Sequence, residues 1–122
     1  MGTVGSFREL VVWQRAMELV AAVYTLTREF PKEEVFGLSS QLRRAAVSIP
    51  SNIAEGKGRL GRGEYRQFLG VARGSNFEVQ TLIELARMLG YGSAVVLGGC
   101  EELSAEVGRM LNGLIGSLGE CL

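Results

Sequence analysis

The side chains that do most enzyme chemistry are absent from this chain. Its 122 residues include no histidine, and all 13 acidic residues are glutamate. Without His or Asp, the Ser-His-Asp and Cys-His catalytic sets cannot be assembled, nor can the usual zinc sets or the calcium-loop pattern. A glutamate pair working alone could still move protons, but these glutamates recur at the spacings of helical ion pairs. Cys100 and Cys121 form no CxxC pattern and read as helix-packing thiols of a reducing compartment. The expectation is a protein that is not an enzyme, with no catalytic residues, no metal and no cofactor.

The remaining chemistry is electrostatic. Net charge is zero, but its distribution is uneven. Residues 41–73 hold seven basic side chains, Arg43, Arg44, Lys57, Arg59, Arg62, Arg66 and Arg73, against Glu55 and Glu64. Residues 91–122 hold Arg109 against four glutamates. Lys57, Arg59, Arg62, Arg66 and Arg73 are the candidates for nucleic-acid contact: three on one outward helical stripe, two in the adjoining turn. A solvated face has the same density of basic residues, so for one copy that alternative stands. Tyr65 and Phe68, the aromatics among them, are expected to point inward, so no stacking aromatic serves the basic set and binding there is expected to be sequence-tolerant and salt-sensitive.

Four helices must position these groups. Strand-type alternation is absent, and only two prolines punctuate the chain. The pattern predicts one domain over 1–122, with helices at about 6–29, 32–56, 62–89 and 93–119. Ser6 and Ser93 are expected caps, and Gly37 a weak point in the second helix. "GKGRLGRG" supplies one turn, and Gly90 and Gly92 another. In the first helix, Leu10, Trp13, Met17, Val20, Tyr24 and Thr27 form the expected core stripe, broadened by Leu19, Val23 and Leu26. Gly98, Gly99, Gly108, Gly113 and Gly116 of the last helix suggest close helix approach. The fold class is all-α, an antiparallel up-down-up-down four-helix bundle.

The stretch "RRAAVSIPSNIAEGKGR" places Pro50 inside the second helix. A mid-helix proline costs about 3 kcal/mol and kinks the chain. The apolar spacing holds across it, so the helix is expected to continue, bent. Ser48, Ser51 and Asn52 can serve the carbonyls freed there. Gln41, Arg44, Ser48, Asn52, Glu55 and Arg59 make a polar stripe beside the core. Arg44, Ser48, Asn52, Glu55 and Glu78 are expected to hold register by inter-helix pairing, with Glu55 near Arg62 or Arg66 and Glu78 near Arg43 or Arg44. Away from the core lie Val47, Pro50 and Ala54 on the second helix, and Phe77 and Met88 on the third. These five are the candidates for an interface between copies, although scattered surface apolars are also normal.

The segments "FRELVVWQRAMELV", "FPKEEVFGLSSQLRRAAVSIPSNIAEGKGR" and "EYRQFLGVARGSNFEVQTLIELARMLGY" together carry a resemblance. The chain resembles the four-helix-bundle family named for proteins encoded in intervening sequences of bacterial 23S ribosomal RNA. The likeness spans residues 6–119, with "QLRRAAVSIPSNIAEG" its most specific block. The accessory variability proteins of diversity-generating retroelements look like more distant relatives. The resemblance implies a ring-shaped homopentamer and contact with RNA or DNA. Five copies of the basic residues around one rim would concentrate positive potential that a single copy lacks.

The expected function is a non-catalytic ring-forming adaptor that holds RNA or DNA weakly and without sequence specificity. The alternative is an oligomeric protein-interaction scaffold with no nucleic-acid role. The N-terminal "MGTVGSFRELVVWQRA" has charges within its first apolar stretch, unlike a signal peptide, and no run approaches the ~18 apolar residues of a membrane span. A cytoplasmic protein with no membrane partner is expected.

Overall fold

The computed structural model describes residues 5–119, and all its regular elements are helical. Four long helices follow in order: α1 (Val11–Thr27), α2 (Leu38–Lys57), α3 (Arg62–Met88) and α4 (Ala94–Gly119). Each packs on the next and α1 closes on α4, which makes an up-down-up-down bundle. Leu19, Leu26, Leu42, Ile49, Leu69 and Leu111 are among the side chains fully excluded from water along its axis.

The first helix starts later than its capping signal suggests. Ser6 Oγ accepts from Arg8 N at 3.1 Å, but it caps only a 3₁₀ turn, Phe7–Glu9. Leu10 then turns extended (φ −73°, ψ 123°) before α1 begins. The core stripe of α1 is also rotated from expectation. Val12, Ala16, Leu19, Val23, Leu26 and Thr27 are buried, whereas Trp13, Val20 and Tyr24 are half-buried and Met17 is exposed. An apolar band wider than one face cannot reveal its own centre by periodicity.

The second helix also begins late. Lys32–Glu34 form a separate 3₁₀ turn and Gly37 (φ −115°, ψ −114°) breaks the path, so α2 starts at Leu38. Glu34 Oε1 accepts from Leu38 N at 2.9 Å and serves one of the amides left bare at that start. From there α2 runs unbroken through Pro50. Asn52 Nδ2 donates back to Ser48 O at 2.8 Å and to Ser48 Oγ at 3.0 Å. At its far end α2 closes tightly on α3. A Cβ on Gly56 would stand 2.8 Å from Phe68 Cβ, too close for any larger residue without spreading the pair.

The turn after α3 is a complete Schellman motif. Tyr91 N reaches Ala86 O at 2.9 Å and Gly90 N reaches Arg87 O at 3.1 Å, with Gly90 at φ +77°. Two side-chain bonds join this turn to the α1–α2 connection: Tyr91 OH donates to Glu34 Oε2 at 3.0 Å, and Ser93 N to Glu29 Oε1 at 2.7 Å. Ser93 Oγ also accepts from Val96 N at 3.3 Å and caps α4 as expected.

Close helix approach explains few of the glycines of α4. A Cβ on Gly108 would lie 3.2 Å from Asn76 Nδ2, but Gly98, Gly99, Gly113 and Gly116 face open space. Asn76 itself is buried in the α3–α4 seam, donates to Ser104 O at 3.0 Å and accepts from Ser104 Oγ at 2.8 Å. Among the described residues no buried side-chain nitrogen or oxygen lacks a hydrogen bond.

Candidate nucleic-acid and subunit interfaces

Three of the five candidate phosphate ligands lean onto α4. Arg62 Nη2 donates to Ser117 O at 3.0 Å, Arg66 Nε to Ile115 O at 3.3 Å, and Arg73 Nε to Asn112 Oδ1 at 2.7 Å. The expected outward stripe is thus a row of brackets across the α3–α4 seam. The first two serve carbonyls near the end of a helix whose last turn carries no basic residue. That end bears the negative pole of the helix dipole, which favours a cation.

The other two candidates sit at the α2–α3 turn. The Lys57 ammonium lies 5.9 Å from the ring centroid of Tyr65, and the Arg59 guanidinium 4.7 Å from that of Phe68. Arg73 also stands 5.0 Å from the Phe77 ring. Aromatic residues do accompany the basic ones, in sequence as well as in space, each beneath a cation of its own chain. Helix spacing (Arg73 to Phe77) and the reversal at the turn bring them together.

The polar stripe between α2 and α3 is held by hydroxyls more than by charge. Ser48 Oγ and Ser75 Oγ are 2.8 Å apart, and Gln41 Nε2 donates to Glu78 Oε2 at 3.5 Å. Arg44 and Glu78 line one open groove of about 500 Å³ with Phe36, Gln41, Ser48 and Ser75. No ion pair within 4.0 Å joins Arg44 to Glu78. Glu55 pairs with Arg59 of its own helix end at 3.9 Å, not with Arg62 or Arg66. Side chains on α2 and the turn reach one another more easily than they span the seam.

The apolar candidates divide between two sides of the bundle. Val47 (40% exposed), Ala54 (half-buried) and Pro50 border a groove of about 320 Å³ between α1 and α2, completed by Trp13, Met17, Val20 and Ser51. Pro50 is buried by the chain's own helices, unlike its expected place on an open face. Phe77 (49% exposed) and Met88 (77% exposed) belong to a patch on α3 with Gln80, Thr81, Glu84 and Leu85. Gln80 bonds Ser104 of α4, so this patch borders the α3–α4 seam, on a helix that takes no part in the α1–α2 groove. Sequence reading missed Trp13 and Met17 as groove residues because their spacing had placed them in the core.

Acid–base chemistry finds little support in these surfaces. The Arg87 guanidinium bonds Glu101 at 2.6 and 2.8 Å and holds that carboxyl below the usual range, the reverse of what a general acid needs. Burial pushes the Cys100 thiol up to about 11, away from nucleophilic reactivity. Cys121 lies outside the described residues. Among the described residues no group of His, Cys, Asp or Glu could hold a metal ion, and no helix is long and apolar enough to cross a membrane.

A family model described as 23S rRNA-intervening sequence protein matches residues 8–113. The chain belongs to that family. The 23S rRNA-intervening sequence protein fold is also met in a solved structure, a protein of unknown function from the S23 ribosomal protein family of Bacteroides thetaiotaomicron VPI-5482. It is 23% identical, with a TM-score of 0.80, and the match covers 87% of this chain and 96% of that one. At this identity the likeness concerns the fold alone. No curated protein matches. The 23S rRNA-intervening sequence family thus accounts for the bundle and leaves its surfaces to be read from their own chemistry.

Proposed function

We propose that this protein is a non-catalytic, ring-forming cytoplasmic adaptor of the 23S rRNA-intervening sequence type. The observation that supports the proposal is the presence of two different apolar surfaces on different helices of one bundle. An isologous dimer needs one self-complementary patch, whereas head-to-tail association needs two unlike patches on different faces. The α1–α2 groove, with Met17 and Val47 exposed at its rim, suits the receiving side, and Phe77 and Met88 suit the inserting side. Such contacts close into rings when the rotation between copies divides a full turn, and the family resemblance supports five copies. Light scattering tests this directly: a mass of several chains is expected, and a mass of one chain ends the proposal.

The ring's cargo in this reading is RNA or DNA, held weakly along the backbone by Lys57, Arg59, Arg62, Arg66 and Arg73. Repetition of these groups around a ring would raise the local potential well above that of one neutral chain. Electrophoretic shift of structured RNA at low and moderate salt tests the cargo; binding that fades steeply with salt is expected. A second reading, a protein-interaction scaffold with no nucleic-acid role, draws support from the engagement of Arg62, Arg66 and Arg73 by α4. Recovery of a protein partner after nuclease treatment, with no RNA shift at low salt, would favour it.

A further inference from the structure

The contacts of Arg62 and Arg66 with α4 bear on how a nucleic acid would reach them. Both guanidiniums belong to exposed side chains and donate to neutral carbonyls, Ser117 O and Ile115 O. Neither meets a carboxylate within 4.0 Å among the described residues. Arg66 also lies flat against Gly119: a Cβ built there would stand 2.5 Å from Arg66 Nε and 2.8 Å from its Cζ. Ser117 O lies in the last helical turn, where carbonyls have no partner within the helix, and Ile115 O lies just before it; both sit toward the negative end of the helix dipole. They are adequate acceptors for a guanidinium, but a phosphodiester oxygen with a full charge is a stronger one.

We infer that the last turns of α4 compete with nucleic-acid phosphates for Arg62 and Arg66, so that α4 acts as a built-in restraint on this surface. The inference rests on the nucleic-acid reading above and concerns how that surface is regulated. Binding draws the two side chains off Ser117 O and Ile115 O. The α4 end, which carries Gly113, Gly116 and Gly119, then loses its outside support. Glycines already lower its helical preference, so little is needed to loosen it.

The restraint can be weakened without touching a charge. Gly119→Ala places a methyl group where the Arg66 guanidinium now lies, and the flexible arginine must move away from Ile115 O. Its affinity for a fluorescein-labelled homopolymeric RNA at low salt, read by anisotropy, should rise roughly two- to fivefold, with a steeper salt dependence. Hydrogen exchange of the wild-type protein provides the second measurement: amides at 115–119 should lose protection when RNA is bound.

The outcomes separate the two ideas. If wild type does not bind the RNA at low salt, the nucleic-acid reading fails and this inference falls with it. If wild type binds, but Gly119→Ala binds no tighter and the 115–119 amides keep or gain protection, the competition is overturned while the nucleic-acid reading stands.

Discussion

Asn76 and Ser104 hold each other reciprocally across the α3–α4 seam. The asparagine amide donates to the serine carbonyl at 3.0 Å and the serine hydroxyl donates back to the asparagine oxygen at 2.8 Å. Both side chains are buried, and Gln80 completes the group through Ser104 Oγ at 2.9 Å. Ser104→Ala should strip the Asn76 oxygen of its donor and cost about 1–3 kcal/mol in chemical denaturation. The double variant with Asn76→Ala should cost less than the sum of the two singles, the mark of directly coupled groups.

Gly56→Ala tests the tight end of the bundle. Its methyl group would meet Phe68 Cβ at 2.8 Å, and both partners are tied to helical backbone. A loss of about 1–3 kcal/mol is expected from overpacking. The same change at Gly70, where nothing lies within 4 Å, should leave bundle stability level or slightly improved.

Assembly should depend on both apolar sides. Met17→Glu in the α1–α2 groove and Phe77→Asp on the α3 patch each place charge on an exposed apolar position. Each is expected to lower the solution mass toward one chain while far-ultraviolet circular dichroism keeps its helical shape. If only one variant dissociates the assembly, the contact is not head-to-tail between these two surfaces.

The Tyr91–Glu34 bond makes stability sensitive to alkali. Donation to Glu34 raises the Tyr91 phenol above its ordinary 10.0. A group whose folded value is raised stabilises fully below the unfolded value, and the contribution is lost as pH rises through the folded one. Between neutral pH and about 10 the wild type should therefore be more stable than Tyr91→Phe by a constant margin. That margin should shrink at higher pH, as read from thermal midpoints.

Cys100 should behave as a packing residue. In a Cys121→Ser background, iodoacetamide at neutral pH should leave the native protein unlabelled and modify it on unfolding, because the thiol is buried and its ionisation is pushed up to about 11. Rapid labelling without denaturant would show that α4 opens locally around Cys100.

Much of this architecture can be read in the residues, and the exceptions share a cause. The bounds of α3 and α4 follow from glycine-rich punctuation, which acts locally and leaves its mark in the chain. Pro50 within a continuous α2 was legible because apolar spacing persists across it. The rotation of α1 was not, since Trp13 and Met17 are as apolar as Val12 and Leu19 and only the neighbouring helices decide which set goes inside. Asn76 was hidden because a polar side chain at a core position looks like a gap in the pattern until its partner, 28 residues away, is known. Arg62, Arg66 and Arg73 are exposed as expected, but periodicity gives only a direction on the helix and not the oxygen of α4 that each meets there.

The chain's one tryptophan, Trp13, lies half-buried in the α1–α2 groove, its ring edge-on to Phe7 with centroids 5.2 Å apart. Indole emission responds to local water, so this residue is a natural optical reporter for whatever fills the groove. If the proposed contact between copies covers this groove, dilution would shift its fluorescence to longer wavelength, with no added dye.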